Sequence, residues 1–434
     1  MYQAVVAKIV GVNPVDKSDF ISFGNVLGNT VVVGRQTVEG SLGIFFECDG
    51  KLSEVFAKAN DLIRYKDPIT NEQKGGFFEF PYRVRAQKFR GVKSDGFWIP
   101  IQSLEFTGVK LSTLKEGDMF DTINGVEICS KYVTEATLKK VANAKNADGN
   151  KKKAVKKQLL NFKKHMETSQ FRVAVRSLKK GDLVSLTEKV HGTSQRFGYI
   201  EEIHTYPKYS ILWFAQKVGL KPQKIWKYAL GTRNVVLNYP TPATNGYYKE
   251  NEGFRIKAIQ PFLGKLHKYE VVYFEVVGWC GPDTSIMPAA NIKLLKDKQF
   301  QKFYGEKMNY SYACEKGNAD IFVYRITRST EDGEPLDLSY DAIKTRCNEL
   351  GVKPVPELCE SFIYDGDEEK LRELVEKLSE GSSILDKRHL KEGVVLRSEK
   401  YPQPMLMKSK SFQFKVLEGL QKDDSSYIDE EESN

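Results

Sequence analysis

Up to about residue 130 the apolar positions come in short runs separated by turn residues. Ala4-Val5-Val6-Ala7-Lys8-Ile9-Val10, Thr30-Val31-Val32-Val33 and Gly43-Ile44-Phe45-Phe46 are broken by Gly11-Val12-Asn13-Pro14 and Glu47-Cys48-Asp49-Gly50. Many short strands at close spacing predict a small β-barrel. Beyond about residue 165 the pattern changes. Val271 to Val277, Ile321 to Ile326 and Gly393 to Arg397 read as buried strands, while Leu371 to Leu378 and Asp341 to Leu350 carry helical periodicity. Strands and helices do not alternate strictly, so the second part is expected to be α+β on antiparallel sheets rather than doubly wound. In between, Val155, Leu159, Phe162 and Met166 recur at +4, +3 and +4 and predict one apolar face of a bridging helix. The resulting partition is a barrel module at 1–130, a lysine-rich linker at 131–164, a larger domain at 165–422 and an acidic tail at 423–434.

Composition narrows the classes. A chain of 434 residues exceeds one ordinary core, so two unequal domains are expected. No apolar run approaches the roughly 18 residues of a membrane span, so no membrane association is expected. The start, M-Y-Q-A-V-V-A-K-I-V, lacks a basic flank and a cleavage site, which points away from secretion and toward the cytoplasm. Six cysteines are scattered without a C-x-x-C pair, which argues against a disulfide framework and against structural zinc. No glycine-rich P-loop is present, so P-loop chemistry is not supported.

Charge adds a partner class. The net charge is +9, and ten lysines face one acid between Lys139 and Lys164. That run is a solvated linker helix or a polyanion contact. Asp423 to Glu432 holds six acids and no base and is expected to be a disordered, solubilising tail. Between Pro81 and Pro100, Arg83, Arg85, Lys88, Arg90 and Lys93 are interleaved with Tyr82, Phe89, Phe97 and Trp98. Cations that meet phosphates beside aromatics that stack bases make a nucleic-acid groove; the plainer alternative is a curved strand with one solvated basic face. The barrel class favours the groove.

The candidate chemistry is organised around L-T-E-K-V-H-G-T-S-Q-R-F, residues 186–197. Leu183 to Leu186 read as a strand, and Lys189 stands where it enters a tight His-Gly-Thr-Ser loop. Four later clusters join it. Arg233 follows a Gly-Thr turn, and Glu275 lies in an apolar run where an ionised carboxylate is costly without a cation or donors. Glu392 precedes a strand, and Lys408 and Lys410 at i and i+2 share one face of an extended segment. Taken singly, each has an ordinary structural reading.

In order, K-V-H-G at Lys189–Gly192, Arg233, Glu275 with Gly278, Tyr324, Glu392-Gly393 and Lys408/Lys410 resemble the motifs of the covalent nucleotidyltransferases, the superfamily of ATP-dependent ligases and capping enzymes. The His191-Gly192 step with Thr187-Glu188 is similar to the RNA ligase 2-like branch. The front barrel resembles an OB-fold module attached to several ligases, and the resemblance to the catalytic motifs spans the second domain.

The resemblance implies an ATP-dependent RNA ligase that joins 3′-hydroxyl and 5′-phosphate ends, with nicked duplexes as the expected RNA substrate; a monomer is assumed, and the cytoplasm is the expected compartment. Lys189 would be the nucleophile, with Glu275 and Glu392 holding Mg²⁺, for which Mn²⁺ can substitute. Lys408 and Lys410 would neutralise the α-phosphate, and Arg233 with Arg196 would hold ribose or phosphate. Tyr324 would stack on adenine with Val394 opposite, Phe322 being the alternative stacking residue, and Glu188 would contact the adenine edge. Chemically, a lysine amine near its ordinary pKa of ~10.4 is almost fully protonated at neutral pH, so burial or a nearby cation must activate it. A DNA ligase or capping-type enzyme shares this chemistry, but such relatives usually carry a carboxy-terminal OB domain. A non-catalytic RNA-binding scaffold would leave the lysines and glutamates unexplained.

Overall fold

The computed structural model describes residues 2–147, 159–203, 206–219, 224–240, 248–423 and 427. In the N-terminal part the short apolar runs become strands. Ile21–Val26 and Asn29–Gly34 pair antiparallel, and their buried positions alternate with less buried ones, as period-2 patterning requires. The strand Ala4–Lys8 lies between Leu42–Phe46 and Met119–Phe120, with Phe97–Pro100 beyond Leu42–Phe46. It is buried on both faces. Ala4 and Val6 join one core with Ile44, Phe46 and Phe56; Val5 and Ala7 join a second with Val26, Val31, Phe45 and Trp98. A strand that serves two cores has no polar face, which is why this run is continuously apolar.

The second domain is built on two sheets, mainly antiparallel. One has the order Ser169–Gln170, Met405–Lys410, Gly393–Ser398, Leu183–Lys189, Glu357–Ile363. The larger one runs Val236–Leu237, Lys224–Thr232, Thr193–Ile203, Glu270–Gly278, Ala319–Ser329, Pro335–Asp337, with Lys353–Pro354 pairing alongside Ala319–Ser329. The chain crosses from the first sheet to the second at Val190–Gly192. Lys189 is the last residue before that crossing.

The bridging helix is displaced from its expected place. A helix runs over Glu135–Ala147, whereas 159–168 contain none; Val155 lies outside the described residues. The apolar residues of 159–168 act as anchors of an extended strap. Phe162 is buried on the large sheet with Ile200, Ala229 and Tyr273, and the Tyr273 hydroxyl donates to the Lys163 carbonyl at 2.8 Å. One deep anchor and a backbone bond hold this strap without a helix's continuous face. Five of the ten lysines between Lys139 and Lys164 and most of the acidic tail fall on 148–158, 424–426 and 428–434, outside the described residues.

The helix Phe412–Lys422, capped by Ser411 on the Phe414 amide, joins the two parts. Phe414 and Leu417 enter the core of the large domain, while Phe412 packs with Cys48 and Ala86 of the barrel. Polar bonds fix the same contact. Arg83 Nη1 donates to the Gly419 carbonyl at 2.9 Å, Lys422 lies 3.4 Å from Asp49, and Lys415 pairs with Asp95. Burial works to raise the Asp95 carboxyl, but Lys415 and Arg172 outweigh it and hold the group below its ordinary value.

Candidate active site

Lys189 Nζ lies 2.5 Å from Glu392 Oε1. The pair forms because Leu183–Lys189 and Gly393–Ser398 are antiparallel neighbours, with Lys189 opposite Gly393, so Glu392 arrives one residue ahead of that position. On the other side Gly393 faces Lys410. A Cβ at Gly393 would sit 2.0 Å from the Ser409 carbonyl oxygen, so only glycine lets these strands close on the lysine. At the sheet crossing, a Cβ at Gly192 would meet the Val276 carbonyl oxygen at 2.6 Å. The Glu-Gly and His-Gly steps are therefore steric requirements of the site.

Glu392 is 1% exposed and meets three basic groups. Besides Lys189, His191 Nδ1 is 3.3 Å from Oε2 and Lys410 Nζ is 3.8 Å from Oε1. Burial works to raise its carboxyl; Lys189, His191 and Lys410 outweigh it and hold it below the usual carboxylate range. His191 is wedged edge-on against Tyr310 and Phe414, and its amide donates to the Tyr312 hydroxyl at 2.6 Å. Lys408 and Lys410 are both half-buried on the strand Met405–Lys410, and i, i+2 spacing puts them on one face.

A second cluster follows the crossing. Ser194 is opposite Glu275 in the large sheet, and Glu275 is opposite Phe322. The Tyr324 and Ser194 hydroxyls are 2.7 Å apart. Burial raises the Tyr324 phenol, Glu275 adds to the rise and Arg233 opposes it, which places both charges near that ring. Between the two aromatic candidates the burial differs. Phe322 is in the core, whereas Tyr324 is half-buried. Arg325 is bound bidentately by Asp337 at 2.6 and 2.8 Å.

Four of the expected site residues are engaged in contacts within the protein itself. Val394 is fully buried with Val184, Leu186 and Leu371, on the sheet face opposite Lys189; half-buried Val395 shares the lysine's face instead. Glu188 also points away from Lys189, its oxygens accepting from Ser383 Oγ at 2.5 Å and the Ile384 amide at 2.9 Å. Burial raises its carboxyl against these two bonds. Arg196 is buried, donates to the Thr232 and Arg233 carbonyls at 2.7 Å each and lies over the Phe162 ring, so it shapes the turn that carries Arg233. Arg83 is 6% exposed and braces the domains. Of the other basic residues, Arg85 pairs with Asp423 at 2.6 Å, Arg90 donates to the Lys17 carbonyl, Lys93 lies over Phe412, and Lys88 is exposed.

Sequence reading missed Glu418. This carboxylate joins Lys410, at 2.8 Å, to Lys422, at 2.9 Å. Burial works to raise it, yet the two lysines hold it well below the usual range. Its i, i+4 pairing with Lys422 is legible in the helix. Its reach to Lys410 depends on the turn at Ser411.

The ordered motifs, the front barrel and the lysine at a sheet crossing define a ligase-type nucleotidyltransferase domain behind an OB-fold domain. The RNA ligase family model matches residues 182–417, just over half of the chain, and an OB-fold domain model matches 3–101. The chain belongs to the RNA ligase family. Its fold is similar to that of Naegleria gruberi RNA ligase with pyrophosphate (TM-score 0.54, 14% identity, 95% of this chain and 97% of that one). Two variants of that ligase are similar as well: one with ATP and Mn (TM-score 0.54, 14% identity, 97% and 99% covered) and one in the apo state (TM-score 0.56, 15% identity, 96% and 98% covered). No curated protein sequence matches the chain. No helix among the described residues is long and apolar enough to cross a membrane.

Proposed function

We propose that the protein uses ATP to seal RNA breaks bearing a 3′-hydroxyl and a 5′-phosphate, through a lysyl-AMP intermediate on Lys189. The observation that carries this reading is the Lys189–Glu392 pair set among Lys410 and His191. A lysine locked to a buried carboxylate could be purely structural. Here Lys189 and Lys410 reach that carboxylate from two separate strands, and lysines gathered in this way suit an incoming polyphosphate.

In the first step the Lys189 amine, having lost its proton, attacks the α-phosphorus of ATP; the bond to the bridging oxygen breaks and pyrophosphate leaves. In the second, an oxygen of the RNA 5′-phosphate attacks the AMP phosphorus, the P–N bond breaks and the amine regains a proton. In the third, the 3′-hydroxyl attacks the adenylylated 5′-phosphate and AMP departs. Phosphoryl-type transfer depends mainly on positioning and charge stabilisation. Lys408 and Lys410 bind phosphate oxygens, Arg233 holds ribose or phosphate, and the Tyr324 ring stacks on adenine with Ser194 fixing its tilt.

The donor set suits a hard divalent cation. Glu275 and Glu392 offer carboxylate oxygens, and among the described residues no cluster of three His, Cys, Asp or Glu forms a closed cage. Mg²⁺ or Mn²⁺ with retained waters and shared phosphate oxygens matches such a pair. Bound there, the cation would offset phosphate charge and favour the neutral amine. We assign 1–130 to the OB-fold module, 131–164 to the linker, 165–422 to the adenylyltransferase and 423–434 to the tail, and read the protein as a cytoplasmic monomer. The test is sealing of nicked duplexes with ATP and Mg²⁺. Joining with RNA on the 3′-hydroxyl side is expected; joining confined to all-DNA nicks, or none, would contradict the proposal.

A further inference from the structure

A cleft of about 720 Å³ is lined by residues of the barrel and of the ligase domain, and neither Lys189, His191, Glu392 nor Lys410 is among them. Arg85 and Lys88 line it from the barrel; Lys296 and Lys298 line it from the ligase domain. Its one lining acid, Asp297, accepts from the Gln299 and Phe300 amides and caps the helix Lys298–Tyr304. Among the described residues no carboxylate pairs with Lys88, Lys296 or Lys298. Lys88 also stands directly opposite Lys93 in its hairpin, a like-charge arrangement that disfavours the fold unless something anionic relieves it. The surplus is positive and comes from both domains.

Other linings suit nucleotides beyond their phosphates. Gln87, Gln299 and Gln413 present amides able to bond base or sugar edges, and Leu294, Val416 and Leu420 provide apolar surface. The cleft is also tied to the site. Gln413, Val416 and Leu420 belong to the helix that begins two residues after Lys410, and from that same helix Glu418 holds Lys410. The domain contacts through Arg83, Lys415 and Lys422 fix its two walls relative to each other.

We infer that this interdomain cleft binds the sugar-phosphate backbone of the RNA substrate, with Lys88, Lys296 and Lys298 on phosphates and Arg85 exchanging Asp423 for one. The inference rests on the RNA ligase reading and adds where the strand is held. It also gives the OB-fold module a defined part in binding: one wall of a shared cleft.

The test measures binding of a fluorescent RNA strand and of a nicked RNA duplex across a salt series, using the full chain. Lys296→Ala with Lys298→Ala is expected to weaken binding about 10- to 100-fold near 0.1 M salt and to lower the slope of log affinity against log salt by about 2. Lys296→Arg with Lys298→Arg should retain both. Removing equal charge outside the cleft, Lys302→Ala with Lys307→Ala, should leave affinity within about twofold. Equal binding by wild type and the Lys296/Lys298 alanine variant overturns the cleft alone. A wild type that takes AMP onto Lys189 but binds neither RNA overturns the cleft together with the RNA reading.

Discussion

The pocket around Lys189 and the basic stretch from Arg83 to Lys93 are both rich in basic side chains, and they use them differently. In the pocket, Lys189, Lys410 and His191 converge on one buried carboxylate, Glu392. In the barrel, residues of one charge and one short segment disperse: Arg83 goes to a carbonyl of the ligase domain, Arg85 to Asp423, Lys93 to an aromatic face and Lys88 to a cleft. Convergence from distant segments marks a site built for a ligand. Proximity in sequence does not, because a twisted strand sends neighbouring side chains to different surroundings.

Substitutions separate the two uses of charge. The largest expected effect belongs to Glu392→Gln, which removes the charge on which three basic groups converge. Adenylylation should fall at least about 100-fold, and thermal unfolding should show a loss of about 3 kcal/mol or more, since a broken buried pair leaves its partners uncompensated. Activity near wild type would sink the convergent-site account.

Next comes Glu418→Gln, which keeps a hydrogen-bonding side chain but frees Lys410 from a buried charge. A rise in KM for ATP of about tenfold, with kcat less changed, is expected if Glu418 positions Lys410 for phosphate binding. Its pH dependence has a definite sign. A carboxyl held below its unfolded value stabilises the fold above about pH 4.3, and that contribution is lost as pH falls through the depressed folded value. Melting temperatures of wild type should therefore drop more steeply in acid than those of Glu418→Gln. Parallel curves would contradict the charge network.

Smaller effects test the dispersed cations and the residues that face away from Lys189. Arg83→Ala should cost about 1–3 kcal/mol, as expected for losing a buried charged hydrogen bond, and should impair RNA sealing more than adenylylation. The reverse order would contradict its role as a brace between the domains. Glu188→Gln should cost about 1–2 kcal/mol through its bonds to Ser383 and Ile384 and leave the KM for ATP within about twofold. A large change in KM without loss of stability would restore Glu188 to the adenine edge.

Much of this contrast was legible in the chain, unevenly. The strands Leu183–Lys189 and Gly393–Ser398 follow directly from apolar patterning, and the lysine at the end of the first is placed by its position before a His-Gly loop. The side-chain face of Val394 and Glu188 was not, because both sheet faces are buried there and alternation of apolar with polar residues is lost. The extended strap at Phe162 also misled, since an apolar spacing of +4, +3, +4 fits a helix equally well as a few separate anchors. Glu418 was hidden for another reason. Its bond to Lys410 arises where a strand turns into a helix at Ser411, a tertiary geometry that no periodicity encodes.

Lys189 is proposed as the residue that becomes adenylylated. The direct measurement is incubation with ATP labelled on its α-phosphate and a divalent cation, followed by denaturation and mapping of the adduct by peptide mass spectrometry. AMP on Lys189, stable to alkali and released by acid, with no label on Lys189→Ala, is the predicted result; an unlabelled wild type, or equal labelling of Lys189→Ala, would contradict it.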